Sequence, residues 1–287
     1  MALRVNDLLQ ERYRIQKVLG HGGMSSVYMA FDENVHIPVA IKENLALSEN
    51  YSTQFKKEAT ILATLRHPNL PRVSDYFYIP GQGQYLVMDY IDGEDLRERI
   101  ERIQQLPEKE VIVIGILICD ALMYLHSLEP KVIHRDIKPG NIRITPEGNI
   151  ILVDFGLVKV IEIDQHTATG AKAMTPGYSP PEQYGRGTTD ERSDIYSLGA
   201  TLYAALTGMI PEESINRLAG KEKLTPIRKY RAGISQNLEK AIMKALEIDP
   251  EKRFQKSEDF YLALVEAGNF QIIPKNLSLV SAPPNQK

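Results

Sequence analysis

Over the first ninety residues apolar side chains tend to recur at every second position; beyond them they recur every three or four. A period of two belongs to a strand with one buried face, and a period near 3.6 to a helix. Residues 13–19, Tyr-Arg-Ile-Gln-Lys-Val-Leu, alternate in this way and run into a glycine-rich turn followed by a second strand that reaches Ala30. Residues 38–42 give a third strand, ending in Lys42. A helix is predicted over 52–65, with Phe55, Ala59, Leu62 and Ala63 on its apolar side, Ser52 or Thr53 as cap and His67-Pro68 as stop. Strands at 76–79 and 84–88 then flank a turn at 80–83.

Residues 89–93, Asp-Tyr-Ile-Asp-Gly, break the pattern and mark a boundary between a β-rich beginning and an α-rich remainder. Helices are predicted over 94–105, 108–127, 193–207 (stopping at Gly208), 212–219, 236–247 (capped by Ser235) and 257–267. A β-hairpin at 142–153, with Pro146-Glu147-Gly148-Asn149 at its tip, interrupts them. Residues 162–178 are polar, irregular and too long for a simple connection; such loops are functional or mobile. From Gly268 the chain carries Pro274, Pro283 and Pro284 and no period, so 268–287 reads as a tail that packs in part and frays in part.

The chemistry gathers at the two ends of that hairpin. His134-Arg135-Asp136-Ile137-Lys138-Pro139-Gly140-Asn141 precedes it and Asp154-Phe155-Gly156 follows it. A hairpin brings its flanks together, so Asp136, Lys138, Asn141 and Asp154 converge on one small volume. Asp and Asn oxygens are hard ligands suited to Mg²⁺, and a lysine among them suits phosphate. The expectation is phosphoryl transfer. Upstream, Gly20-His21-Gly22-Gly23-Met24-Ser25 places backbone N–H groups where a phosphate can approach, although a plain tight hairpin explains such a stretch equally well. No Gly-Lys-Ser/Thr follows, so it is not a Walker loop. Lys42, usually just solvated in such a position, gains interest because Glu58 lies beside the apolar face of the next helix and can pair with it.

Composition narrows the setting. The 287 residues are 43% hydrophobic and 25% charged, as in ordinary soluble globular proteins, and the net charge of −3 disfavours nucleic acid as a partner. No stretch approaches the roughly 20 apolar residues of a membrane span. The single cysteine, Cys119, rules out an intramolecular disulfide, fits a reducing compartment and reads as a buried small hydrophobe. A cytoplasmic protein is expected.

In family order, six motifs resemble those of eukaryotic-like Ser/Thr protein kinases, bacterial branch, over residues 13–267: the loop at 20–27, Val39 to Lys42, Glu58, His134 to Asn141, Asp154 to Gly156, and Pro180-Pro181-Glu182. The resemblance implies an α+β, bilobal protein-kinase fold, with a small β-rich N-lobe bearing one helix and a larger α-helical C-lobe. It divides the chain into an extension at 1–12, the N-lobe and hinge at 13–91, the C-lobe at 92–267 and the tail. The cofactors implied are ATP and Mg²⁺, with Mn²⁺ as an alternative, and the partners are protein substrates. Leu19, Gly20, His21, Gly22, Gly23, Met24, Ser25 and Val27 would cover the nucleotide, Val27 and Ala40 sandwiching adenine. Lys42, paired with Glu58, would hold the α- and β-phosphates. Met88 falls at the gatekeeper position and Asp89, Tyr90 and Ile91 form the hinge. Asp136 would accept the substrate proton, Lys138 would steady the transferred phosphate and mark Ser/Thr acceptors, and Asn141 and Asp154 would hold the metal. Glu182 would pair with Arg253, and Asp194 would brace the catalytic loop. Ser25 departs from the family's third loop glycine, implying altered loop flexibility or nucleotide affinity.

Arg135 is the residue that, in relatives, binds a phosphate on the activation loop, so Thr167 or Thr169 is expected to be autophosphorylated, and Thr175 to line the substrate pocket. Relatives dimerise through the small lobe; a homodimer is an expectation that rests on no residue of this sequence. His134 reads as a core ring joined to Phe155, and His21, His36, His67, His126 and His166 as surface or turn residues. Two rivals exist. An ATP-binding pseudokinase or scaffold predicts loss of Lys42, Asp136 or Asp154, and none is lost. A small-molecule phosphotransferase would not be expected to carry Pro180-Pro181-Glu182, Asp194 and Arg253.

Overall fold

The period of two produces, in the computed structural model of the chain, one six-stranded antiparallel sheet. The structure describes residues 3–21, 25–44, 49–154, 174–185 and 188–270, and within the helix at 49–64 the side chains of 53, 55, 56 and 59–64. These fall into two units, one up to Ile91 and one from Asp92 onward.

In the first unit the strands are β1 (Leu8–Leu9), β2 (Tyr13–His21), β3 (Ser25–Asp32), β4 (Ile37–Asn44), β5 (Val73–Ile79) and β6 (Gly83–Asp89), ordered β1-β2-β3-β4-β6-β5. Alternation along β3 is strict: Ser26, Tyr28, Ala30 and Asp32 are buried while the residues between them are half-exposed. On the same side lie Tyr13, Ile15, Ile41, Tyr85 and Val87, the core of the unit. Each such large apolar side chain contributes about 1.5–3 kcal/mol when fully buried. Two carboxylates enter this core with their partners. Asp32 accepts from the Arg12 guanidinium at 2.7 Å, and that hydrogen bond holds its carboxyl below the usual range despite burial. Glu43 accepts from the Tyr28 hydroxyl at 2.8 Å and the Tyr85 hydroxyl at 3.0 Å, which offsets its desolvation. Helix α1 (Glu49–Thr64) packs on β5, where Phe55 meets the ring of Tyr76 at 6.0 Å. Phe55, Ala59 and Leu62 are buried, as the helical period predicts.

The second unit is mainly helical: α2 (Leu96–Ile103), α3 (Glu108–His126), α4 (Pro181–Tyr184), α5 (Glu191–Thr207), α6 (Ser214–Leu218), α7 (Ile227–Tyr230), α8 (Gln236–Ala245) and α9 (Ser257–Ala267). A small sheet of β7 (Glu94–Asp95), β8 (Ile142–Ile144) and β9 (Ile150–Leu152) joins them. Helix α5 is buried from Ser193 to Thr207 and packs against α3, α8 and α9. It starts where the Asp190 carboxylate accepts the Arg192 N–H at 2.9 Å. It ends at Gly208, whose φ of +71° is left-handed and where a Cβ would stand 2.6 Å from the Gln104 carbonyl oxygen. Only glycine meets both demands.

Several features differ from the sequence reading, beginning with strand β1, which lies in the stretch read as an extension. Glu94 and Asp95, read as helical, form β7 instead. Asp95 then caps α2, accepting the Glu98 N–H at 2.8 Å while Glu98 accepts the Asp95 N–H at 2.9 Å, a reciprocal box that fixes the helix start. The four-residue helices α4 and α7 pass unseen, because one turn leaves no period to detect. His126, read as a surface residue, is buried at the end of α3 between Asp194 and Ser257. Cys119 is fully buried, and desolvation pushes its thiol upward, so it stays protonated. Among the described residues no helix is long and apolar enough to cross a membrane.

Candidate active site

A short 3₁₀ turn at Pro139–Asn141 feeds β8, and the Val153 N–H closes back on the Asn141 carbonyl oxygen at 2.8 Å. That bond ties the end of β9 to the start of β8, so the hairpin carries Asn141 and Asp154 at one end. The Asn141 Nδ2 donates to the Asp136 carbonyl oxygen at 2.7 Å and to Asp136 Oδ2 at 2.9 Å. Lys138 Nζ lies 2.9 Å from the same Oδ2. Thr175 Oγ1 donates to Asp136 Oδ1 at 3.3 Å and accepts from Lys138 Nζ at 3.3 Å. The structure therefore brings Asp136, Lys138, Asn141 and Thr175 into one hydrogen-bonded cluster. The Asp136 and Lys138 side chains keep 14% and 30% of their surface exposed, so the carboxylate is held yet within reach of a substrate.

The donor set fits a hard divalent cation. With its amide nitrogen committed to Asp136, Asn141 has its amide oxygen left as the ligand atom. Asp154, half-buried with a φ of +56°, supplies a carboxylate at the same end of the hairpin. Among the described residues no three His, Cys, Asp or Glu side chains group into a metal site by themselves.

Beneath the cluster the loop is held by Asp194, at the start of α5. Its Oδ2 accepts the His134 N–H at 2.9 Å and its Oδ1 the Arg135 N–H at 2.8 Å. Burial drives the Asp194 carboxyl up, but the hydrogen bonds from the His126 ring and the Arg135 N–H work against it, and the net direction is down. Arg135 sits at φ +67°, an uncommon conformation for a side chain other than glycine, and its carbonyl oxygen accepts from Gln183 at 3.0 Å. The His134 ring is wholly buried and its Nδ1 accepts the Asp136 N–H at 3.4 Å.

Downstream, the Thr175 N–H reaches Ser179 Oγ at 3.0 Å, and Gly177, at φ +80°, packs directly on Ile210, where a Cβ would come within 2.2 Å. Glu182 pairs with the fully buried Arg253 through two parallel bonds, 2.7 and 3.0 Å. The guanidinium spends its other donors on the Glu247, Ile248 and Arg192 carbonyls and lies 4.9 Å from the Tyr196 ring centre.

In the first unit, register places the expected nucleotide contacts on one face of the sheet. Val27 stands opposite Lys42, which stands opposite Leu86; one row along, Met29, Ala40 and Met88 are opposite one another. Opposed residues, and residues two apart on a strand, share a face, so Val27, Ala40, Lys42 and Met88 all point away from the Tyr28–Ile41–Val87 core. Leu19, Gly20 and His21 are exposed at the end of β2, beside an irregularity between Val18 and Gly20, and Ser25 opens β3. The Asp89 N–H is taken by the Arg72 carbonyl oxygen at 2.9 Å, and Tyr90 and Ile91 follow, half-buried. Gly22, Gly23, Met24, Phe155, Gly156, His166, Thr167 and Thr169, and the side chain of Glu58, lie outside what the structure describes.

Sequence reasoning missed His126, Ser257 and Gln183. Their partners lie dozens of residues away, and no local pattern signals them.

Comparison with known proteins adds three findings. The family described as protein kinase domain matches residues 13–260. Serine/threonine-protein kinase PknB of Mycobacterium leprae (strain TN) is 34% identical over 275 residues, covering 92% of this chain and 44% of its own length. Serine/threonine-protein kinase PrkC of Bacillus subtilis (strain 168) is 35% identical over 266 residues, covering 89% and 40%. Among solved structures, the Mycobacterium tuberculosis PknI kinase domain matches with a TM-score of 0.71 at 26% identity, covering 93% of this chain and all of that one. The chain spans less than half the length of the curated relatives it matches.

Proposed function

Because this chain belongs to the protein kinase domain family, we propose that it transfers the γ-phosphate of ATP to serine and threonine hydroxyls of proteins. The observation that carries the reading is the cluster in which Asp136 binds both Lys138 and the hydroxyl of Thr175. A carboxylate that already receives one hydroxyl proton donor is placed to receive another from a substrate. In the proposed step the substrate oxygen attacks the γ-phosphorus, the bond from that phosphorus to the β-bridging oxygen breaks, ADP leaves, and the hydroxyl proton passes to Asp136. Lys138 steadies the transferred phosphoryl group and, two residues after Asp136, favours serine and threonine acceptors. Asn141 and Asp154 hold the divalent cation, Mg²⁺ in this reading, which supplies charge neutralisation on the phosphates when bound.

On the sheet face, Lys42 takes the α- and β-phosphates with Glu58, Val27 and Ala40 sandwich adenine, and Met88 to Ile91 provide the gatekeeper and hinge. The apolar rows around Lys42 support this, since an aromatic base needs apolar walls and the phosphates one fixed cation. Arg135 reads a phosphate on Thr167 or Thr169, and Thr175 lines the substrate pocket. A fully buried lone cysteine agrees with a reducing, cytoplasmic setting.

Incorporation of labelled phosphate from Mg-ATP into the chain and into a generic basic protein tests the reading. Wild type is expected to label both and Asp136→Asn neither; equal labelling by the two proteins overturns it. Phosphopeptide mapping tests the regulatory part, which fails if no phosphate appears between Asp154 and Glu182.

A further inference from the structure

One row of residues crosses four strands of the first unit: His21 on β2, Ser26 on β3, Glu43 on β4 and Tyr85 on β6 stand opposite one another in turn. Tyr28, two residues beyond Ser26, shares its face of the sheet. Ser26, Tyr28, Glu43 and Tyr85 are all more than nine-tenths buried. The Glu43 carboxylate accepts the Tyr28 hydroxyl on Oε2 at 2.8 Å and the Tyr85 hydroxyl on Oε1 at 3.0 Å. Among the described residues it forms no ion pair. Desolvation pushes both phenols up, so each keeps its proton and donates it. An apolar side chain would fill the same space without needing partners. The core thus holds a fixed polar anchor.

The two tyrosines differ in what lies beyond them. Beyond Tyr85 is the Phe77 ring, stacked at 5.2 Å. Beyond Tyr28 is the glycine-rich turn. The His21 ring meets Tyr28 edge-on at 6.5 Å, and His21 Nδ1 lies 3.0 Å from Ser26 Oγ. The Ser26 hydroxyl also works against the upward push on the Tyr28 phenol, as a donor beside its oxygen does. His21 and Ser26 form the last pair of the β2–β3 ladder, the two stems from which the turn departs. Val27 and Lys42, next to Ser26 and Glu43 in sequence, point to the opposite face, where the nucleotide is expected. We propose that Tyr28 is a positioning residue for the nucleotide: seated on Glu43, it holds the His21–Ser26 stems at one height and so sets nucleotide affinity. This deepens the reading above, in which that turn covers the nucleotide, and rests on it.

Tyr28→Phe and Tyr85→Phe provide the test, since each removes one hydroxyl from Glu43 and leaves a ring of the same shape. Both are expected to lower the thermal midpoint by similar amounts. Binding of a fluorescent ADP analogue with Mg²⁺ to the full chain separates them, at a temperature where melts show each variant folded. One hydrogen bond is worth about 2- to 10-fold in an equilibrium. Tyr28→Phe and Ser26→Ala are expected to weaken binding by about that factor, and Tyr85→Phe to leave it as in wild type. KM for ATP is expected to rise by the same factor, with the loss confined to KM rather than kcat. In a His21→Ala background Ser26→Ala is expected to add nothing, because the link is already cut. Equal affinity in wild type, Tyr28→Phe and Ser26→Ala overturns the proposal, as does a loss in Tyr85→Phe that matches the loss in Tyr28→Phe. If Tyr28→Phe does not fold, Ser26→Ala decides. If wild type binds no analogue, the nucleotide reading fails instead, and amide hydrogen exchange over residues 20–27 still decides the link. Exchange there is expected to quicken in Tyr28→Phe but not in Tyr85→Phe, and equal rates in the two overturn it.

Discussion

Two clusters in the second unit are built from the same kit, an aspartate, a basic side chain and a hydroxyl. Asp136 with Lys138 and Thr175 keeps part of its surface in solvent; Asp194 with His126 and Ser257 keeps almost none. The bonds differ accordingly. Asp136 holds Lys138 and Asn141 at 2.9 Å but the exchangeable Thr175 hydroxyl at 3.3 Å, whereas Asp194 takes His126, His134 and Arg135 all at 2.8 to 2.9 Å. Loose, half-wet contacts can be exchanged for a substrate. Tight, dry ones cannot, because opening them exposes a buried charge without a partner. In the proposed reading chemistry belongs to the first cluster and geometry to the second, and the contrast comes from burial, not from residue type.

Substitutions can break that contrast. The largest effect is expected at Asp136→Asn, with kcat falling about 10²- to 10⁴-fold, the usual worth of a positioned general base, while a urea melt shows little change. Next is the other buried ion pair. Arg253→Met strands the Glu182 carboxylate and is expected to cost about 3–5 kcal/mol of stability, read as a lower urea midpoint; adding Glu182→Gln should recover part of it, since no uncompensated charge then remains. Asp194→Asn comes third, at about 1–3 kcal/mol near pH 7, because the amide brings an unmatched donor into the pocket. This variant also has a pH signature. The Asp194 carboxyl is depressed in the folded protein, so its stabilisation is full above the ordinary value of 3.8 and is lost as pH falls below it. The gap between wild type and Asp194→Asn should therefore shrink between pH 7 and pH 3, and a constant gap would contradict the assignment. The smallest effect is at Thr175→Ala, about 0.5–1.5 kcal/mol for one half-exposed hydrogen bond, with a raised KM for protein substrate as its more sensitive readout.

Much of the first cluster was legible in the sequence because it is local. Asp136, Lys138 and Asn141 share six residues, the hairpin between Asn141 and Asp154 announces itself by its turn, and the closing bond from Val153 to Asn141 follows from the pairing. Thr175 was read by resemblance as a substrate-pocket residue, and in the structure its hydroxyl bonds Asp136 and Lys138. The second cluster was half legible. Asp194 was read as a brace for the catalytic loop, but His126 was taken for a surface residue, since a histidine at the end of an apolar helix looks the same whether or not another helix covers it. Glu94 and Asp95 show the same limit at smaller scale. Two acidic residues before an amphipathic run read as a helix start, and only pairing with Arg143 and Ile144 makes them a strand.

By itself the sequence determined the periods of the elements, the turn that joins the flanks of the catalytic hairpin, and the kinds of atom available there. Tertiary structure alone decided which aspartate is dry and which is wet. Desolvation depends on what packs from afar, here Ser257 from 131 residues beyond His126 and Asp194 from 68 beyond it, and a side chain carries no local mark of neighbours that distant.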